Sequence, residues 1–299
     1  MNPWTLVGLV ASVVVAGAVT AALPRLHPRV GSYAIVLSII SITMSSIWLV
    51  SAPAVAFLLH TSTGGTFVEW CRSWLPHSDV PAWVGLPALA VLSAQGLRTA
   101  RRLRALRSEA RAVSHGSPLT IVRSEEPVAL TTPGRSGRII VSTAMLRLLS
   151  PGEQRAMLAH ERAHLECRHD RFLVVAELAV VAIPPLALLQ RLLRRSLERW
   201  ADERAAAETG DRSALARAIS VAALATAPPS SLTSAIASND VAARLWALDR
   251  GQWPANNIGS LTAAAATLGI TATVALASIA GVGFQFHYLA ELVVHVCPF

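Results

Sequence analysis

The chain has 299 residues, of which 53% are hydrophobic and only 15% are charged, and its mean hydropathy is +0.48. Soluble globular domains carry roughly 25% charged residues, so a disordered chain, a disulfide scaffold and an ordinary cytosolic enzyme are all excluded. All 26 basic residues are arginine, and the formal net charge is +8. The sequence shows no basic face on a soluble fold, so direct nucleic-acid binding is not expected. Long apolar runs favour a mainly α, polytopic membrane protein.

Four apolar stretches are predicted to cross the membrane. They cover residues 3–23, 33–59, 81–97 and 260–284, and a transmembrane helix needs about 20 mostly apolar residues. No basic residue precedes the first stretch. We therefore expect a retained helix there and not a cleaved signal peptide.

The distribution of arginine predicts the orientation of these spans. Loop 24–32 carries two arginines, segment 98–115 has a net charge of +5, and loop 60–80 has a net charge of −1. The excess of arginine in cytoplasmic loops then places 24–32 and 98–259 inside the cell. Both termini are expected outside, and the basic juxtamembrane segment is expected to contact anionic lipid.

Residues 98–259 form a charged insert that is predicted to be a cytoplasmic α+β domain. Thr120–Val122, Pro127–Thr131 and Arg138–Ser142 read as short strands, with a turn at Pro133–Gly137 before the third. β-Branched runs bounded by glycine and proline are typical of strands. We expect a small antiparallel sheet.

A short helix at Ala144–Leu149 and then a longer helix are expected after the sheet. Ser150, Pro151 and Glu153 give a capping box with proline at the first helical position. The longer helix is expected to run to about Arg168.

This helix carries the pattern His-Glu-x-x-His as His160, Glu161 and His164. Two imidazoles four residues apart project from one face and can bind one zinc ion. Glu161 lies beside the first ligand, where its carboxylate can act as a general base on a water. The pattern predicts a Zn²⁺ centre with Glu161 as the catalytic residue.

A catalytic zinc needs a third protein ligand and leaves its fourth position to water. Glu198 and Asp202 are four residues apart on a helix expected at Pro185–Thr209, which Gly210 terminates. One carboxylate of this pair can bind zinc while the other orients a ligand histidine.

The segments Leu158–His164, Arg168–Asp170 and Leu197–Asp202 resemble the zinc region of integral-membrane metallopeptidases, most closely the BlaR/MecR-type antirepressor peptidases. In that family a Glu-x-x-x-Asp pattern supplies the third ligand. The resemblance implies that Glu198 is this ligand and that Asp202 supports a histidine. The HtpX- and Ste24-like peptidases share the same zinc pattern.

A fifth apolar stretch, 172–189, is predicted not to span. If it did, His164 and Glu198 would lie on opposite sides of a hydrocarbon core about 30 Å thick, whereas zinc ligands lie about 2 Å from the metal. Pro184 and Pro185 break the stretch, so residues 172–193 are expected to form a hairpin that dips into the membrane or packs against the spans.

The expected activity is hydrolysis of peptide bonds at the cytoplasmic face. An extended substrate is expected to add to the edge of the strand Arg138, Ile139, Ile140, Val141 and Ser142. Arg204 is a candidate transition-state donor on position alone, and an ordinary surface arginine is the favoured interpretation. The resemblance implies a cytoplasmic repressor as substrate and self-cleavage, for which residues 225–240 read as an exposed loop.

Two alternatives to the signalling protease stay open at this point. One is a membrane quality-control peptidase of the HtpX/Ste24-like kind, and another is a receptor or scaffold with structural zinc. Only residues 285–299 follow the fourth span, so an extracytoplasmic penicillin-binding domain is not expected there. Oligomerisation and a Cys71–Cys297 disulfide are left open.

Overall fold

We analysed a computed structural model of the chain. It describes residues 3–61, 80–112, 117–134, 137–226 and 232–250, and Gly269. The predicted fourth span at 260–284, apart from Gly269, lies outside the described residues, as do Cys71 and Cys297.

The described part of the chain is mainly helical, as the sequence predicts. Its helices are α1 (Pro3–Ala22), α2 (Pro28–Thr61), α3 (Ala82–Ala112), α4 (Thr143–Leu148), α5 (Pro151–Glu166), α6 (His169–Ala182), α7 (Ala187–Thr209), α8 (Arg212–Thr226) and α9 (Leu232–Asp249). Its strands are β1 (Leu119–Val122), β2 (Ala129–Thr131) and β3 (Ile139–Ser142). Short 3-10 turns cover Leu23–Arg25 and Pro184–Leu186.

Two N-terminal helices are long and apolar enough to cross a membrane. Their apolar windows are Gly8–Arg25 and Pro28–Ser51. The hydroxyl of Ser12 lies 2.6 Å from that of Ser41, so a buried hydrogen bond joins α1 to α2. The predicted third span begins α3, which continues without a break into the arginine-rich segment. Two of the four predicted spans thus coincide with candidate spans.

Close contact between α2 and α3 requires a glycine. A Cβ atom on Gly85 would lie 2.2–2.5 Å from atoms of the Phe57 side chain. The missing side chain lets the two helices approach, as small residues do between membrane helices.

The sheet is mixed, which corrects the predicted antiparallel sheet. The strand order is β1-β3-β2, with β3 antiparallel to β2 and parallel to β1. β3 is therefore the central strand, and the prediction that Arg138–Ser142 offers a free edge is wrong. The physical reason is burial: three of the four β3 residues are buried, whereas no residue of β1 or β2 is.

The apolar stretch 172–189 folds as a hairpin of two helices. α6 ends at Ala182, Pro184–Leu186 make a 3-10 turn, and α7 runs back. Both helices pack on α2 around a core that includes Ile35 and Leu193. The side chain of Gln95 on α3 donates a hydrogen bond of 3.2 Å to the carbonyl of Ala182, which satisfies a helix end at the break.

Two helices of the insert show the end signals that their sequence predicts. The capping box of Ser150 and Glu153 is present at the start of α5, and α7 ends at Gly210 with φ of 68°, a conformation that glycine adopts without strain. α5, α7, α8 and α9 share a core of small residues that includes Ala156 and Ala205. α9 begins at Leu232, so much of the expected loop 225–240 is helical.

Candidate metal centre

α5 presents two histidines to one point. Because His160 and His164 are one helical turn apart, their rings meet, and their Nε2 atoms lie 3.1 Å apart. When each neutral ring carries its proton on Nδ1, both Nε2 atoms are acceptors and their lone pairs are directed at the same small volume.

Glu198 on α7 completes a group of three donors. Its Oε2 lies 3.5 Å from His160 Nε2, and its Oε1 lies 3.6 Å from His164 Nε2. One ligand atom from each residue lies within 4.8 Å of the others. A tetrahedral zinc with ligand distances of 2.0–2.1 Å has ligand–ligand edges of about 3.3 Å, so the three donors fit such an ion.

The three donors leave one side open, where the fourth ligand of a tetrahedral ion would lie. The Glu198 side chain is 39% exposed, whereas the two histidines are 10% and 17% exposed. A catalytic zinc keeps a position for water, while a structural zinc is closed by four protein ligands. The arrangement is therefore that of an open site.

Asp202 lies behind His160. Its Oδ1 is 3.0 Å from His160 Nδ1. A carboxylate at the far nitrogen of a ligand histidine fixes its tautomer and raises its basicity. This is the position that the resemblance implies for Asp202.

Arg244 on α9 was missed by the sequence analysis. Its Nε and Nη2 donate hydrogen bonds of 2.8 and 2.7 Å to Asp202, and its Nη1 lies 3.0 Å from Glu198 Oε2. One guanidinium thus holds both carboxylates of the Glu-x-x-x-Asp pair. In the sequence, Arg244 is one basic residue far from the zinc pattern, and nothing in its surroundings indicates a contact with Glu198 or Asp202.

His169 was also missed as part of the site. Arg168 has φ of 54° between α5 and α6, and this sharp turn brings His169 back so that its Nδ1 lies 2.9 Å from His164 Nδ1. His169 is fully buried, and its Nε2 has no hydrogen-bond partner among the described residues. His169 supports His164 from behind, as Asp202 supports His160.

The charges of this cluster shift its pKa values in opposite directions. Burial opposes a charge on His160, but the carboxylates of Asp202 and Glu198 outweigh it and raise the pKa of His160 to about 10. Burial would raise the pKa of Glu198, but His160 and Arg244 lower it. Burial and the neighbouring His160 lower the pKa of His164. A cation that binds here displaces a proton from His160, so its affinity rises with pH.

Glu161 points into a cleft of about 1010 Å³ that the three donors also line. The hydroxyl of Thr131 on β2 donates a hydrogen bond of 2.6 Å to Glu161 Oε2. β2 is an edge strand among the described residues, and it lines the same cleft. The strand edge beside Glu161 is therefore β2 and not the predicted Arg138–Ser142.

Two other residues lie away from the centre. Arg204 pairs with Glu166 at 3.0 Å on an exposed surface, as the favoured interpretation of an ordinary surface arginine predicts. Cys167 is a free, half-buried thiol that lines a different cavity. Arg244, by contrast, contacts Glu198 and Asp202 directly.

The donor set and its surroundings define a metallopeptidase type of site: two histidines from one helix, a glutamate from a second, and a carboxylate base beside an edge strand. Comparison with known proteins supports this class. Residues 97–231, a little under half of the chain, match the sequence model of Peptidase family M48.

Among curated proteins, the chain is similar to the plastoglobule-localized metallopeptidase 48, chloroplastic, of Arabidopsis thaliana. The two are 34% identical over 90 residues, which cover 29% of this chain and 26% of that protein. The chain thus aligns with about a quarter of this relative's length. No solved structure matches.

Proposed function

We propose that the protein is a zinc metalloendopeptidase that works at the cytoplasmic face of a membrane. The observation that carries this proposal is the meeting of His160, His164 and Glu198 at one open point beside Glu161. The similarity of residues 97–231 to a peptidase family supports the same chemistry.

His160, His164 and Glu198 would hold the zinc ion, which when bound supplies a Lewis acid that polarises the scissile carbonyl and activates water. Glu161 accepts a proton from the attacking water and donates it to the leaving amine. Thr131 holds the Glu161 carboxylate toward the cleft through its hydrogen bond. Asp202, Arg244 and His169 keep the ligands in place.

We propose that substrate lies extended along β2. Hydrogen bonds from Thr132 N to Arg138 O and from Ser142 N to Val128 O fix the register of β2 on β3. Because pairing alternates along an antiparallel ladder, the main-chain groups of Ala129 and Thr131 face away from β3. They can pair with the backbone of a peptide, which is how an added strand binds.

The membrane placement that we propose keeps loop 24–32 and the insert on the same side. Ser196 on α7 donates a hydrogen bond of 2.9 Å to the carbonyl of Pro28, at the start of α2. Glu198 follows two residues later, so the metal centre lies close to one end of the two apolar helices. The hairpin of α6 and α7 then packs against the spans and need not cross.

The test is Glu161→Gln in the full chain, purified in detergent. Zinc content should stay at one per chain, since Glu161 is not a ligand, while cleavage of an unfolded protein substrate should fall about 10²–10⁴-fold. The matched control is Glu208→Gln, which removes an exposed carboxylate that pairs with Arg162. Full activity in Glu161→Gln would exclude the proposed base.

Cleavage of a cytoplasmic transcriptional repressor is the physiological role that we propose, on the resemblance to the antirepressor peptidases. Comparing new protein N-termini in cells with the native chain and with Glu161→Gln tests it, because a signalling protease should give a few sites in one regulator. Fragments of this chain itself in the same data would reveal self-cleavage.

A quality-control peptidase is the second candidate, and the proposed mode of substrate binding favours it. A strand edge binds backbone and is tolerant of sequence, and the cleft is wide. Many cleavage sites in misfolded membrane proteins would favour this role. A structural-zinc scaffold is disfavoured by the open side at Glu198, and normal cellular output of Glu161→Gln would favour it.

A further inference from the structure

A second cavity, of about 500 Å³, lies away from the catalytic cleft. Its walls come from the first turns of α2, from the junction of α5 and α6, and from α7. Trp200 in its wall packs on His169, with ring centroids 4.8 Å apart. The cavity is therefore separated from the ligand His164 by two rings.

Four arginines and only one carboxylate line this cavity. They are Arg29, Arg168, Arg171 and Arg204, and the carboxylate is Glu166. Arg204 already pairs with Glu166 at 3.0 Å, and Arg168 donates to the carbonyl of Gly134 at 3.3 Å. Within the described residues, neither Arg29 nor Arg171 has a carboxylate partner. Like charges around one cavity repel unless an anion lies between them.

Aromatic rings form the floor of the same cavity. Tyr33 packs edge-on against Phe172, with ring centroids 5.1 Å apart, and Phe172 in turn packs against Trp200. The guanidinium of Arg29 lies over the Trp200 ring, 5.8 Å from its centroid. A cation–π contact of this kind holds the arginine in position without neutralising it.

The position of the cavity indicates what kind of anion it meets. The apolar window of α1 ends at Arg25 and that of α2 begins at Pro28, so the cavity opens at the polar end that the two helices share. In the proposed membrane placement this is the headgroup level of the cytoplasmic leaflet, where tyrosine and tryptophan are enriched and anionic lipids attract arginine.

We propose that this cavity binds the phosphate headgroup of an anionic phospholipid. The guanidinium groups of Arg29 and Arg171 would donate charge-assisted hydrogen bonds to the phosphate oxygens, and the aromatic floor would contact the glycerol. The proposal rests on the proposed membrane placement and not on peptidase activity, so its test needs no substrate.

The test is native mass spectrometry of the full chain in mild detergent, after incubation with equal amounts of phosphatidylglycerol and phosphatidylcholine. The native chain should retain phosphatidylglycerol preferentially. Arg29→Gln with Arg171→Gln should lower this retention about tenfold or more, at about 1 kcal/mol for each arginine.

The matched control removes two arginines of the juxtamembrane helix α3 that do not line the cavity, as Arg101→Gln with Arg104→Gln. Single bound lipids in detergent create no surface potential, so the control should change retention less than about twofold. Equal losses in the two variants would overturn the proposal. If the first variant fails to fold, Arg171→Gln alone should lower retention about fivefold.

A soluble phosphate is the other source of the same chemistry. Glycerol phosphate at millimolar concentration, without lipid, should bind weakly and should not displace phosphatidylglycerol. If it binds as tightly as the lipid and depends equally on Arg29 and Arg171, the cavity serves a soluble phosphate and the lipid assignment is wrong.

Discussion

Arg244 shows how a single residue can hold a metal site together from outside its motif. Glu198 and Asp202 are acids on one face of α7, and Arg244 contacts both. Its side chain is only 18% exposed, so the contacts are shielded from solvent and are stronger than surface pairs. Removing it would leave the buried carboxylate of Asp202 and the partly exposed carboxylate of Glu198 without their cation.

We expect Arg244→Gln to weaken zinc binding about 10- to 100-fold, the usual effect of losing a residue behind a ligand. Competition with a chromophoric chelator measures this. The control is Arg195→Gln, which breaks an exposed pair of Arg195 with Asp240 that also joins α7 to α9. If both variants lose zinc equally, Arg244 only anchors α9.

A substitution at His169 can separate its support of the ligand His164 from its contribution to the stability of the fold. His169→Phe keeps a ring among Phe172 and Trp200 but removes the nitrogen that faces His164. It also removes a buried Nε2 that has no partner among the described residues, and burying such a group costs about 1–3 kcal/mol.

Zinc affinity of His169→Phe should therefore fall about tenfold, while the Tm of the metal-free protein stays the same or rises. Calorimetry with and without a chelator measures both quantities. A lower metal-free Tm with unchanged zinc affinity would show that His169 is only a packing residue.

Among the elements, β2 lies beside the candidate metal centre and is the strand on which we propose that substrate binds. The hydroxyl of Thr131 holds the Glu161 carboxylate. The main-chain groups of β2 that face away from β3 are unpaired among the described residues. Along β2, residues whose main chain pairs with β3 alternate with residues whose main chain faces outward. Substitution of an outward residue should therefore affect substrate binding, and substitution of its neighbour should affect the sheet.

Ala129→Pro removes an outward N–H and should raise KM about 2- to 10-fold, since a net hydrogen bond contributes about 0.5–1.5 kcal/mol. kcat and Tm should change little. Leu130→Pro is the control, because Leu130 faces Ile140 in the ladder with β3 and its loss should lower Tm. Unchanged KM in Ala129→Pro would place the substrate elsewhere.

For the molecule as a whole, the insert is fastened to the apolar helices at one end. Ser196 contacts Ser32 and Pro28, and the hairpin of α6 and α7 packs along α2. In the membrane placement that we propose, this packing puts loop 24–32 and the insert on the same side.

Labelling of single cysteines with a membrane-impermeant maleimide tests this topology in intact cells. The three natural cysteines are first replaced by serine. Arg25→Cys and Arg155→Cys should react only after permeabilisation, and Thr63→Cys in loop 60–80 should react before it. Labelling of positions 25 and 155 from opposite sides would contradict the proposed placement.

Local patterns in the sequence were sufficient to predict most of the helices of the insert. The capping box at Ser150, the proline break at 184 and Gly210 act within a few residues, so their outcomes depend little on the rest of the chain. His160 and His164 share a face because helical geometry alone requires it.

Contacts between distant parts of the chain were decided only by the tertiary structure. β2 and β3 form the hairpin that the local pattern predicts, but β1 pairs with the other side of β3 in parallel, so the most buried strand, β3, lies in the centre. Arg244 reaches Asp202 across 42 residues, and no local spacing encodes such a pair. Periodicity therefore determined the helices and the face that carries His160 and His164. Long-range packing determined that the edge strand β2, the guanidinium of Arg244 and the supporting His169 complete the site.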